Sequence, residues 1–262
     1  MDNISQHFRK EEQVFAEKCL DQVRNVEQRF VPALTSFLNP RERFILKSVA
    51  GSQTDIQLAF CGGYEGAERQ RALIFPSYFI PEETDFEIIL YEVDYPIKFH
   101  SLTHGHILGT LLGNGLSREV IGDILTDGTR WQFYIEKQLA SYLPVQIEKM
   151  GKSPVKLREL PFIDQIQPID EWQEEQKIVS SLRLDTVLSS VYPMSRQKAK
   201  EWIETGNVKI NWTDETNPSV SLVENDVVSV RQKGRFQLME QSGITKKEKK
   251  ILIVRVLKTK KS

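Results

Sequence analysis

Five residues in the last third of the chain carry the chemistry that this sequence most plainly offers. Arg183, Arg196, Lys200 and Lys209 are cations and Asn211 is an amide, all within a span of thirty residues. Fixed cations can neutralise phosphates and release counterions, and an amide can bond a phosphate, a ribose hydroxyl or a base edge. Local pattern predicts what must hold them. Leu184, Val187 and Leu188 recur at helical spacing, with Asp185 placed to cap that helix. Ser195 is a good N-cap for a second helix beginning Arg-Gln-Lys-Ala-Lys-Glu-Trp-Ile, because its hydroxyl can accept an orphan backbone N–H. Ala199, Trp202 and Ile203 then share one side of that helix, and Arg196 and Lys200, four apart, share another. Gly206 supplies the left-handed stop. In Val208-Lys-Ile-Asn211 alternation sends Val208 and Ile210 inward and Lys209 and Asn211 outward.

The charge distribution agrees. Arg183 to Ser262 holds 16 Lys+Arg against 9 Asp+Glu, leaving 19 against 27 before it, so a near-neutral total hides an acidic front and a basic tail. That asymmetry is expected when one end meets nucleic acid. The run Lys246-Lys-Glu-Lys-Lys250 and the ending Lys258-Thr-Lys-Lys261 extend the positive end, and Ile251 to Leu257 between them reads as a buried strand.

The ordered series Arg183-Leu-Asp185, Ser195-Arg196, Ala199, Ile203, Gly206-x-Val208-x-Ile210-Asn211, Asp226 and Gly234-x-Phe236 resembles an S4 domain, a small RNA-binding module. The resemblance implies an RNA-contacting set of Arg183, Ser195, Arg196, Lys198, Lys200, Lys209, Asn211, Trp212 and Arg235. Trp212 stands where many S4 units have glycine, and could stack on a base or cover the core.

Further forward, an α+β chain of three small domains is expected. Residues 1–80 read as an N-terminal α/β unit, with helical spacing from Phe8 to Phe30, an Asn39-Pro40 helix start, and strands at 56–60 and 72–75. Glu65 to Arg71 is charged and expected at the surface. Residues 81–162 suggest a β-α-β-β-α-β order, the ferredoxin-like (RRM-like) arrangement of many RNA-binding sheets. Trp131, Phe133 and Tyr134 would there be either stacking faces or core, core being the commoner fate. Residues 163–181, polar, acidic and with a proline, read as a linker, and 182–262 as the S4 (αL-type) domain with a basic C-terminal strand and tail.

The segments Leu102 to Gly109 (LTHGHILG) and Leu111 to Ile124 (LLGNGLSREVIGDI), with an S4 unit behind them, resemble the YlmH family over nearly the whole chain. That resemblance implies a non-enzymatic, ribosome-associated protein, often encoded near cell-division genes. Its implied partners are the ribosome, large-subunit ribosomal RNA and peptidyl-tRNA, in rescue of stalled large subunits. Competing readings are an S4-bearing RNA-modifying enzyme and a cell-division adaptor that docks through the acidic front.

Enzyme signatures are weak. His100, His104 and His106 have no Cys or carboxylate nearby to complete a ligand set, Gly113-Asn-Gly115 follows a helix and lacks a third glycine, and no P-loop or Gly-x-Ser-x-Gly is present. Glu119 and Asp123 read as a surface or cap pair. No catalytic residue, metal or cofactor is expected. Cys19 and Cys61 read as reduced thiols of a cytoplasmic monomer, since no run approaches the ~20 apolar residues of a membrane span and the charged N-terminus lacks a secretory h-region.

Overall fold

The computed structural model describes residues 8–51, 55–167 and 172–258. The cationic ending after Lys258 and part of the expected linker lie outside the described residues. The chain divides into two compact units, Met1–Ile169 and Asp170–Ser262.

The first unit opens with α1 (Lys10–Arg29), β1 (Ala33–Leu38), α2 (Pro40–Ala50), β2 (Ile56–Cys61) and β3 (Gln70–Pro76). Asn39 caps α2 by accepting from Glu42 N at 2.9 Å, while the Glu42 carboxylate accepts from Asn39 N at 2.7 Å, with Pro40 at the first helical position. β3 lies between β1 and β2 in an antiparallel sheet, with α1 and α2 packed over it through Val23, Ile45, Leu46 and Ile74. β1 was not foreseen from the sequence, because Ala33 to Leu38 has neither clean alternation nor a β-branched run.

A four-stranded sheet follows in the same unit: β4 (Ile88–Asp94), β5 (Ile121–Thr126), β6 (Trp131–Glu136) and, after the helices, a strand at Lys156–Leu160. The connections are α3 (His104–Gly113), capped by Thr103 Oγ1 accepting from His106 N at 3.2 Å, and a single turn α4 (Leu143–Gln146). A small hairpin, β7 (Lys149–Met150) and β8 (Ser153–Pro154), leads into the last strand, β9. Spatial order is β5-β6-β4-β9, all pairs antiparallel, which is the ferredoxin-like split βαβ. The second helix of the expected β-α-β-β-α-β order is reduced to a 3₁₀ turn at Lys137–Leu139 and α4.

Strand alternation gives this sheet two faces. Ile89, Tyr91, Phe133 and Ile135 pack under the helices. Leu90, Gln132, Tyr134 and Glu136 face the other way and are also buried, beneath the N-terminal sheet and the segment 162–166. Tyr134 is 0% exposed, with Tyr64 stacked on it at 5.6 Å and Phe162 edge-on at 5.6 Å. The ring reaches so close to the backbone that a Cβ on Gly63, at φ +93°, would lie 2.2 Å from it. Phe133 and Tyr134 are therefore core, and the sheet face that binds RNA in related folds is occupied by protein.

Polar groups join the two sheets. Arg69 and Arg71, expected at the surface, are buried. Arg69 donates to the carbonyls of Phe37 at 2.7 Å and Ile121 at 3.1 Å; Arg71 donates to those of Thr35 at 2.8 Å and Glu87 at 2.9 Å. Main-chain acceptors satisfy the guanidinium donors, which makes their burial tolerable. Asp123 accepts from Tyr64 Oη at 2.8 Å, Glu68 N at 2.6 Å and Arg69 N at 3.1 Å, so it is an internal clamp and not a surface pair with Glu119. Burial first, and the Asp123 carboxylate next, push the Tyr64 phenol far above its ordinary pKa.

The second unit is a six-stranded sheet, β10 (Gln173–Val179), β11 (Val208–Ile210), β12 (Thr213–Asp214), β13 (Val227–Val230), β14 (Gly234–Ile244) and β15 (Lys250–Lys258), with α5 (Leu184–Val191) and α6 (Arg196–Glu204). Its order is β10-β15-β14-β13-β11-β12. The helices bury Val187, Leu188, Ala199 and Ile203 against Val208, Val228, Phe236 and Val254 on one face. Residues 173–179, read as linker, are an edge strand in register with β15 from Gln173↔Val256 to Val179↔Lys250. Their acidic composition masked a strand that has one neighbour and a largely solvated outer face.

Gly63→Ala is expected to destabilise the first unit by about 2–4 kcal/mol, from left-handed strain plus the clash with Tyr134. Chemical denaturation followed by tyrosine fluorescence measures it, with a change below about 0.5 kcal/mol contradicting this packing.

Candidate nucleic-acid interface

Arg183, and not Asp185, is the N-cap residue of α5. Asp185 lies in the first turn, its side chain 4% exposed. It fails as a cap because its carboxylate is taken by side chains. Arg183 donates from Nε to Oδ1 at 3.1 Å and from Nη2 to Oδ2 at 2.9 Å. Arg196, the first residue of α6, donates from Nε to Oδ2 at 3.1 Å, and Thr186 Oγ1 donates to Oδ1 at 3.1 Å. One carboxylate thus ties the start of α5 to the start of α6 and sets two guanidinium groups beside each other. Their side chains remain 37% and 55% exposed, so the local balance of two cations to one anion faces solvent. Burial opposes ionisation of Asp185, but the hydrogen bonds from Arg183, Arg196 and Thr186 and the nearby Arg196 charge outweigh it and hold the carboxyl below its ordinary pKa.

Ser195 caps α6 as expected, its Oγ accepting from Lys198 N at 3.2 Å. Lys198 and Lys200 are exposed along α6, Lys200 standing 3.7 Å from Glu204 one turn on. Lys200 shares the face of Arg196 one turn on, whereas Lys198 lies on the other side of α6.

Lys209 and Arg235 belong to the opposite face of the sheet. Lys209 alternates with Val208 and Ile210, which pack under the helices, and the register Lys209↔Ser229↔Arg235 runs straight across β11, β13 and β14. Arg235 and Arg255 flank Trp172, with guanidinium carbons 5.1 and 5.7 Å from its ring centroid. Trp172 and Arg255 were missed in the sequence: the first lay in the supposed linker, and the second in a strand read as uniformly buried.

Asn211 serves the fold. Its Nδ2 donates to Asp226 Oδ1 at 2.9 Å and its Oδ1 accepts from Val227 N at 2.9 Å. Asn211 and Trp212 both have positive φ, 48° and 68°, between Lys209↔Asp214 and Ile210↔Thr213, as a type I′ hairpin turn requires. Asn211 tolerates that conformation far better than Trp212, which explains the usual glycine there. Asp226 is buried, and its second oxygen accepts from Val223 N at 2.9 Å.

Among the described residues no three His, Cys, Asp or Glu side chains group as a metal site, and no helix is long and apolar enough to cross a membrane.

Comparison with known proteins places these features in a family. Residues 11–79 match the model described as "YlmH, N-terminal", 81–164 the "Putative RNA-binding domain in YlmH", and 182–228 the "S4 domain". The S4 match ends inside β13, so β14, β15 and β10 extend the sheet beyond it. A Bacillus subtilis (strain 168) protein named Ribosome-associated protein quality control protein P2 is 41% identical over 249 residues, 95% of this chain and 96% of its own. A solved structure titled Cell division protein ylmH from Streptococcus pneumoniae is 38% identical with a TM-score of 0.54, spanning 62% of this chain and 98% of its own.

Because Asp185 is held below its ordinary pKa by folding, the stability it contributes is present above about pH 4 and is lost as pH falls through its lower folded value. Asp185→Ala is expected to cost about 1–3 kcal/mol at pH 7. Asp185→Asn should show a shallower loss of stability between neutral and acid pH than the parent chain. Urea denaturation at pH 7 and pH 3 reads both, and parallel curves would contradict the assignment.

Proposed function

The chain belongs to the YlmH family of S4-domain RNA-binding proteins, and from that premise we propose that it acts without catalysis of its own, gripping ribosomal RNA through the basic face of α5 and α6. The observation that carries this reading is the Asp185 carboxylate holding Arg183 and Arg196 side by side. A paired guanidinium edge, fixed before RNA arrives, loses little entropy on engaging successive phosphates. Ser195, Lys198 and Lys200 extend the contact along α6. Lys209, Trp212 and Arg235 serve the same RNA from the strand side, with Asn211 shaping the turn that presents Trp212.

The Bacillus subtilis relative is named for ribosome-associated protein quality control. We take this chain to work in the same process in the cytoplasm, on large subunits stalled with peptidyl-tRNA, and to touch both the large-subunit RNA and the tRNA. The Streptococcus pneumoniae relative is titled a cell division protein. A division role would then follow indirectly from translation, since the exposed chemistry at the starts of α5 and α6, Arg183 and Arg196, is cationic and suited to phosphate.

Affinity that rests on phosphate contacts falls steeply with salt. Arg196→Ala with Lys200→Ala is expected to weaken binding to purified large subunits about tenfold or more and to lower the log–log salt slope by about 0.7–0.9 for each contact removed, with a smaller loss of stability than Asp185→Ala, because Arg183 and Thr186 still bond the carboxylate. Co-sedimentation across a salt series measures it. Unchanged affinity and slope would sink the proposed face.

A further inference from the structure

Burial of the open face of β4, β5, β6 and β9 leaves the middle domain without the aromatic platform of a typical RNA-binding sheet. The same domain carries a different exposed surface at one end of that sheet. β4 leaves the sheet at Asp94, in register with Lys156 where β9 enters, so the loop 95–103 and the β7–β8 hairpin emerge at the same end. The hairpin turns at Gly151, φ +60°, directly under the His106 imidazole: a Cβ there would lie 3.2 Å from that ring. This brings the start of α3 against Lys149 and Lys152.

Residues 94–106 and 148–156 together hold Lys98, Lys149, Lys152 and Lys156 against Asp94 and Glu148, with His100, His104 and His106 among them. The Asp127–Arg130 ion pair stands at the same end, where Tyr95 Oη donates to the Thr129 carbonyl at 2.8 Å. The chain before Arg183 is otherwise strongly acidic, with 27 Asp+Glu to 19 Lys+Arg, so this is a local reversal of sign. At its rim the Pro96 carbonyl accepts from Phe99 N at 3.0 Å and His100 N at 3.1 Å, a tight turn that throws the Phe99 ring outward, 84% exposed. An exposed aromatic ring next to Lys98 in the chain, at the sheet end that also carries Lys149 and Lys152, is poorly suited to water and well suited to an unpaired base with phosphates on either side.

We propose that this end of the middle domain is a second RNA contact, in which Phe99 stacks on an unpaired base and Lys98, Lys149 and Lys152 neutralise the flanking phosphates. The inference rests on the reading of the chain as an RNA-binding protein, and it moves the middle domain's RNA surface from the sheet face to the loops at its edge.

The test uses the full chain, anisotropy titrations, and two fluorescein-labelled probes: an RNA hairpin with an unpaired loop and the same sequence closed into a duplex. Phe99→Ala is expected to lower affinity for the looped hairpin about tenfold and to leave the duplex unaffected. Lys149→Ala with Lys152→Ala should lower the hairpin salt slope by about 1.4. Since these side chains are exposed, thermal midpoints should stay within about 2 °C of the parent, which separates loss of contact from loss of fold. Unchanged hairpin affinity and slope in both variants, while Arg196→Ala with Lys200→Ala still weakens binding, would overturn this inference alone and assign Phe99 to a protein partner. If all three variants bind as the parent does, the S4 reading falls with it. Equal loss on hairpin and duplex would also overturn it, because stacking needs an unpaired base.

Discussion

Two arginines at the tips of adjacent helices would repel each other, and Asp185 is what lets them stand together. Its carboxylate is nearly buried yet accepts from Arg183, Arg196 and Thr186, so its desolvation is offset by three charge-assisted contacts. The same bonds fix the angle at which α6 leaves α5, and therefore where Ser195 caps, where Lys200 points and how Ala199 and Ile203 meet the sheet. A second buried carboxylate, Asp226, does similar work at the β11–β12 turn, accepting from Asn211 Nδ2 and Val223 N, while Asn211 Oδ1 accepts from Val227 N. Presentation of the basic face thus depends on one anion, Asp185, that RNA need never touch, and the shape of the β11–β12 turn on another, Asp226.

The first unit answers a different constraint with the same chemistry. A ferredoxin-like sheet has two faces, and here both are buried, one under helices and one under the N-terminal sheet. Burying the second face brings Arg69, Arg71 and Asp123 inside, where carbonyls and amides satisfy them. The matched segments 11–79 and 81–164 consequently share an interior, and variation in one is felt by the other. Whatever surface the middle domain offers to RNA must lie at an edge or a loop.

Local signals were legible wherever a residue's neighbours in sequence are its partners in space. The Asn39 and Ser195 caps, the Gly206 stop, the β4, β5, β6 and β9 strands and the presence of a strand at 251–257 all follow from spacing of that kind. The ordered S4 residues gave the basic face by type. What stayed hidden depended on distant partners. Asp185 looked like a cap because Arg196, eleven residues away, is not a sequence neighbour. Arg69 and Arg71 looked like surface residues because their acceptors lie on β1 and in the loop before β4. β10 looked like linker because the strand it pairs with, β15, is some eighty residues later. Alternation assigned Lys209 outward, but did not show that its face is turned from Arg183 and Arg196, nor that Asn211 leaves the strand at positive φ and is spent on Asp226.

The central claim is that this chain grips RNA on stalled large subunits through the α5–α6 face, and in-cell crosslinking with sequencing of the bound RNA tests it most directly. Ribosomal fractions would be separated on a gradient, and the crosslinked peptides identified in the same samples. Crosslinks to large-subunit RNA and tRNA are expected in the free large-subunit peak, mapping to peptides that contain Arg183, Arg196 or Lys200. Crosslinks scattered over many unrelated RNAs, or confined to one site whose bases are chemically altered, would contradict it and point to a general chaperone or to a modifying enzyme.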